Sequence, residues 1–120
     1  MEFLPDSAAP GDARRMSRQA LVDWELEDFA PVVELLVSEV VTNAVRHAAS
    51  EGEIQLHVHE HVLRVEVTDA VGGRPQPRHP APEDPSGRGL AIVESVASRW
   101  GVEPLPVGKT VWFELDLREQ

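Results

Sequence analysis

Between residues 33 and 48, Val33, Leu36, Val37, Val40, Val41, Ala44, Val45 and Ala48 recur at the i, i+3, i+4, i+7 spacing of one buried helical face. This predicts a core helix, entered past Phe29 and Pro31, since proline suits a first turn whose N–H groups are unpaired anyway. An earlier helix is expected to turn Ala13, Met16, Ala20, Leu21 and Trp24 inward, with Asp12 as its cap and residues 5–11 as a loop before it. Farther along, the period changes to two. Ile54, Leu56 and Val58 alternate with polar residues, as do residues 63–69, and the two runs pair naturally as a hairpin turning around residues 60–62. Residues 110–117 alternate as well, with Val111, Phe113, Leu115 and Leu117 on one face, and residues 101–103 and 1–4 supply shorter strands. A third helix carries Leu90, Val93, Val96, Ala97 and Trp100 on one side. Together these elements predict an α/β two-layer sandwich, a mixed and mostly antiparallel sheet covered on one face by about three helices.

The border of the core helix carries chemistry. At about 100° per residue, Glu39, Asn43 and His47 form a stripe beside the apolar face, where a cleft can run. A carboxylate and a carboxamide one turn apart offer a base and a neutral oxygen ligand, and Mg²⁺ already holding phosphate oxygens needs only one or two protein ligands. The same spacing is also an ordinary polar flank of an amphipathic helix. Two later segments sharpen the choice. Asp69 ends a strand shortly before Gly72 and Gly73, which permit close approach of a ligand, and Ser86, Gly87, Arg88, Gly89 and Leu90 open a helix whose free N–H groups suit an anion. Between them, residues 71–86 hold five of the ten prolines, which excludes helix or central strand and suits a stiff surface loop or a lid over the site.

With 120 residues, the chain has the length of one domain, residues 1–120. Its formal charge of −10 argues against a nucleic-acid groove, although Arg74, Arg78, His79, Arg88 and Lys109 gather around the proposed site. Without cysteine there is no disulfide or thiolate chemistry, and no long apolar run predicts a membrane span, so a cytoplasmic protein is expected. His57, His59 and His61 alternate, but they fit the solvated face of a strand better than a metal site.

From about Arg14 to Leu117 the chain resembles the ATP-binding domain of the superfamily that includes gyrase B, histidine kinases and, most closely, the anti-sigma factor serine/threonine kinases. That resemblance implies the Bergerat ATP-binding fold, with ATP and Mg²⁺ as cofactors. Glu39 and Asn43 are similar to the family's Glu-x-x-x-Asn motif, which implies a general-base or water-orienting role for Glu39 and magnesium coordination by Asn43. Asp69 through Gly73 is similar to its Asp-x-Gly-x-Gly motif, implying that Asp69 accepts the adenine amino group. Val71 stands at the first glycine position of that motif, and Pro85 where a further glycine often precedes the phosphate segment. Gly87, Arg88, Gly89 and Leu90 resemble that phosphate segment, and Gly108-Lys109-Thr110 resembles a final Gly-x-Thr that implies Thr110 near the adenine.

The implied partners are a sigma factor and a small anti-anti-sigma (STAS-type) protein phosphorylated on serine or threonine, with homodimers common in the family. A nucleotide-binding interaction module without kinase activity is the alternative. A histidine kinase fragment is a third reading, disfavoured because these residues leave no room for a separate helical hairpin with a phospho-acceptor histidine.

Overall fold

A computed structural model describes residues 1–48, 51–69 and 86–118, with residues 47, 48 and 86–90 described by backbone alone. The elements follow the order β1 (Glu2–Phe3), α1 (Ala9–Asp23), a 3₁₀ turn (Glu27–Phe29), α2 (Ala30–Ala48), β2 (Gly52–His59), β3 (Val62–Asp69), α3 (Ser86–Val96), β4 (Arg99–Pro104) and β5 (Lys109–Asp116). Among the described residues the strands form one five-stranded sheet in the order β1-β2-β3-β5-β4. Every neighbouring pair is antiparallel, so the sheet is not mixed as expected but wholly antiparallel. The outcome follows from connectivity: the β2–β3 hairpin sets one direction, and β5 lies antiparallel to both β3 and β4.

Alternation builds the core. Ile54, Leu63, Val65, Val67, Val111, Phe113 and Leu115 are buried on the sheet face that meets Val33, Leu36, Val37, Val40 and Val41 of α2. Val58, expected among them, is exposed near the far end of β2. Helix α2 packs against α1, α3 and β3, making it the centre of the helical layer. Two α1 arginines tie the pair on the solvent side, Arg14 donating to Ser38 Oγ at 2.9 Å and Arg18 to Glu34 at 2.7 Å.

Helix boundaries differ from expectation for local reasons. α1 starts at Ala9, not after Asp12, because Asp6 accepts from Ala8 N at 3.0 Å and from Ala9 N at 3.2 Å, and Pro10 fits the first turn. The helix stops in a Schellman arrangement: Leu26 N donates to Leu21 O at 2.7 Å and Glu25 N to Val22 O at 3.0 Å, with Glu25 at φ 61°. Trp24 consequently sits at the cap and is exposed rather than core. α3 ends at Val96, so Trp100, expected on its apolar face, lies in β4 instead. In the β2–β3 hairpin, Glu60 takes the positive φ of 58° that a two-residue turn demands.

The opposite sheet face bears charge and, among the described residues, no second helical layer. Glu114 on β5 accepts from Arg64 at 2.9 Å and from Arg99 at 2.8 Å, Arg64 also reaches Glu66 at 2.7 Å, and its guanidinium stacks 4.3 Å above the Trp112 ring. Gly101 makes room for that indole, since a Cβ there would lie 2.9 Å from it. The hydrogen bond from Arg99 is the largest influence and, joined by that from Arg64, outweighs partial burial and holds the Glu114 carboxyl below the usual glutamate range. A depressed folded-state value means that this stabilisation is present above the unfolded value, about 4.3, and is lost as pH falls through the folded one. Glu114→Gln is therefore expected to lower the melting temperature by a few degrees near neutrality, with the two proteins converging in acid. A difference that persists unchanged at the acid end in pH-resolved melts contradicts this assignment.

Candidate functional site

The core helix brings Glu39 and Asn43 to its border, as the heptad-like spacing requires. Both are half-buried, one turn apart on α2, with Val40, Val41 and Ala44 buried beside them. Asn43 Oδ1 is itself buried and, among the described residues, has no hydrogen-bond partner. An orphaned carbonyl oxygen of this kind costs about 1–3 kcal/mol, so it calls for a ligand group that supplies positive charge or a donor. Among the described residues no hydrogen bond or ion pair occupies the Glu39 carboxylate. His47 lies on the last turn of α2 by its backbone.

The other motifs approach the same helix. β3, which ends at Asp69, and α3, whose first turn contains Gly87, Arg88, Gly89 and Leu90, both pack against α2. Gly73, Val71, Arg74, Arg78, His79, Pro85 and the rest of the expected lid over residues 71–86 lie outside the described residues, except Ser86, which opens α3.

Asp69 is held tightly. Only 3% exposed, it takes the last inward position of β3, after Leu63, Val65 and Val67, and register pairs it with Lys109 of β5. Lys109 Nζ donates to Asp69 Oδ2 at 2.9 Å and its backbone N to Oδ1 at 3.3 Å. Gly108 makes this approach feasible: its φ is 83°, and a Cβ there would fall 2.3 Å from Asp69 O and 2.6 Å from Oδ1. Composition pointed to Lys109 only as one more nearby charge. The alignment of the two strands identifies it as the direct partner of the buried acid.

Thr110 is placed differently from the expectation. It pairs in register with Thr68, and their hydroxyls meet at 2.9 Å. Successive strand residues face opposite ways, so this hydroxyl pair lies on the sheet face away from Asp69 and α2. Of the two β5 residues considered, Lys109 is the one that shares a face with Asp69.

Among the described residues no three His, Asp or Glu side chains cluster as a metal site, and His57 and His59 stand exposed on β2. A resident metal bound by protein side chains alone has no cage among the described residues. One held jointly with phosphate oxygens needs only a group such as the Asn43 carbonyl, and the donor set fits Mg²⁺ on that basis. No helix among the described residues is long and apolar enough to cross a membrane.

Comparison with known proteins agrees with this layout. The histidine kinase-like ATPase domain matches residues 5–115. Among solved structures, the histidine kinase domain of the Erythrobacter litoralis EL346 blue-light activated histidine kinase is 31% identical, with a TM-score of 0.52, covering 76% of this chain and 46% of that one. Another structure of the Erythrobacter litoralis EL346 blue-light activated histidine kinase is also 31% identical, with a TM-score of 0.55, covering 78% of this chain and 34% of the other. The chain thus spans less than half the length of either. No curated protein matches it.

Proposed function

Since the chain belongs to the histidine kinase-like ATPase domain family, we propose that it binds ATP with Mg²⁺ and acts as an anti-sigma-factor-type serine/threonine kinase. On this reading it phosphorylates a small anti-anti-sigma partner and controls a sigma factor. The observation that carries the nucleotide part is the buried Asn43 Oδ1, without a partner among the described residues and one turn from Glu39. Sequence likeness to the anti-sigma kinases supports the choice of partner.

Phosphoryl transfer asks little covalent chemistry of a protein and much positioning. Asn43 would hold Mg²⁺ through its carbonyl oxygen, and the ion, when bound, neutralises charge on the phosphates. Glu39 is free to accept a hydrogen bond from the attacking hydroxyl and to take its proton. The first-turn N–H groups of α3 face no earlier turn and suit phosphate oxygens. Asp69, acceptor-only as a carboxylate, suits the exocyclic amino group of adenine.

The test is transfer of labelled γ-phosphate from ATP to a cognate anti-anti-sigma protein, followed by acid treatment. Acid-stable label on serine or threonine is expected. Acid-labile label would instead indicate a histidine acceptor, the activity named for the similar kinases. ATP and partner binding without any transfer leaves the interaction-module reading, which Val71 and Pro85 in the expected glycine positions favour.

A further inference from the structure

We infer that Lys109 reads the nucleotide base together with Asp69, the ammonium and the carboxylate forming one donor–acceptor pair. The inference rests on the proposal that adenine nucleotide occupies this site. Adenine offers an amino donor at position 6 directly beside a ring-nitrogen acceptor at position 1. A carboxylate only accepts, whereas an ammonium has three N–H donors. Lys109 Nζ spends one of these on Asp69 Oδ2, 2.9 Å away, and no other described residue takes the remaining two, which suit a ligand. Among the described residues Oδ1 meets only the long bond from Lys109 N at 3.3 Å, so the carboxylate also keeps accepting capacity.

Depth fixes the order of the pair. The Asp69 side chain is 3% exposed and that of Lys109 40%, so the acceptor lies inside and the donor outside. A base entering with its position-6 group foremost must therefore bring a donor inward and an acceptor outward, as adenine does. Guanine presents the reverse, an oxo acceptor at position 6 and an N–H donor at position 1. The arrangement is built into the backbone, because Gly108 at φ 83° lets residues 108 and 109 wrap the acid without a Cβ in the way. In register terms, Lys109 stands on the α2-facing side of the sheet and Thr110 does not.

The experiment compares ATP with 1-deaza-ATP, which keeps the amino group but replaces the ring-nitrogen acceptor by C–H. Calorimetric titration of the wild type, with Mg²⁺ present, is expected to show ATP bound about tenfold more tightly or better, the effect of one charge-assisted hydrogen bond. Lys109→Met should weaken ATP and abolish the difference between the two nucleotides. Lys109→Arg, which keeps a cation beside Asp69, should retain part of it, and it serves where the methionine variant does not fold. Equal affinities in the wild type overturn the inference while leaving ATP binding intact. Tighter ATP binding by Lys109→Met also overturns it, since the lysine would then be competing with the base. Absence of binding by either nucleotide removes the nucleotide reading itself.

Discussion

Glu39→Ala is expected to lower phosphoryl transfer by about 10²–10⁴-fold while ATP affinity stays close to that of the wild type. Glu39 lies at the border of α2, half-buried, with no partner among the described residues, so its removal leaves no buried charge stranded. The residues beneath it, Leu36, Val40 and Val41, keep their packing, and alanine favours the helix. A general base acts on the attacking hydroxyl in the transition state and contributes little to ground-state nucleotide binding, which separates kcat from KM. Single-turnover transfer with a cognate partner, run beside ATP titration of the same preparations, measures both quantities. Parallel loss of affinity and rate places Glu39 among the binding groups. An unaltered rate removes it from the chemistry.

Much of this architecture was legible before any coordinates, for a physical reason. Helix α2 has an apolar face of valine, leucine and alanine at a constant period, and β3 and β5 alternate over most of their length, so burial is written into composition at most positions, Asp69 being an exception. Ends were harder to read. Glu25 terminates α1 in a left-handed conformation that glycine or asparagine normally signals, and Asp6 forms the turn before the helix from outside the apolar pattern. The side of the sheet on which a site residue falls depends on register, which no single strand reveals. Thr110 illustrates this: its neighbourhood to Asp69 is correct along the chain, but its hydroxyl belongs to the opposite face and to Thr68. Lys109 was missed as the partner of Asp69 for the same reason. A lysine one residue from a predicted ligand looks like general positive charge until the strands are aligned. Ser17 shows a further limit, since nothing in its polarity signals complete burial on α1.

The Asn43 carbonyl has a cost in the nucleotide-free protein, and this makes the second large effect unusual in sign. Its Oδ1 is buried and has no partner among the described residues, and an unsatisfied atom of this kind destabilises the fold by about 1–3 kcal/mol compared with a satisfied one. Asparagine is also a poorer helix former than alanine, by a few tenths of a kcal/mol and at most about 0.7. Asn43→Ala should therefore leave the free protein equally stable or raise its melting temperature by a few degrees, an outcome rare for a substitution on a core helix. The same change should abolish magnesium-dependent ATP binding. Ligand that binds only the folded state raises its stability by RT ln(1 + [L]/Kd), so at 100 Kd the wild type gains about 2.7 kcal/mol and the variant nothing. Melting curves of both proteins, alone and with saturating ATP and Mg²⁺, contain the whole comparison. The expected crossing is a variant that melts no lower than wild type when free and well below it when both are offered nucleotide. A variant that is destabilised when free makes Asn43 a structural residue with an unseen partner. One that keeps its full nucleotide-induced shift shows that the metal is held elsewhere.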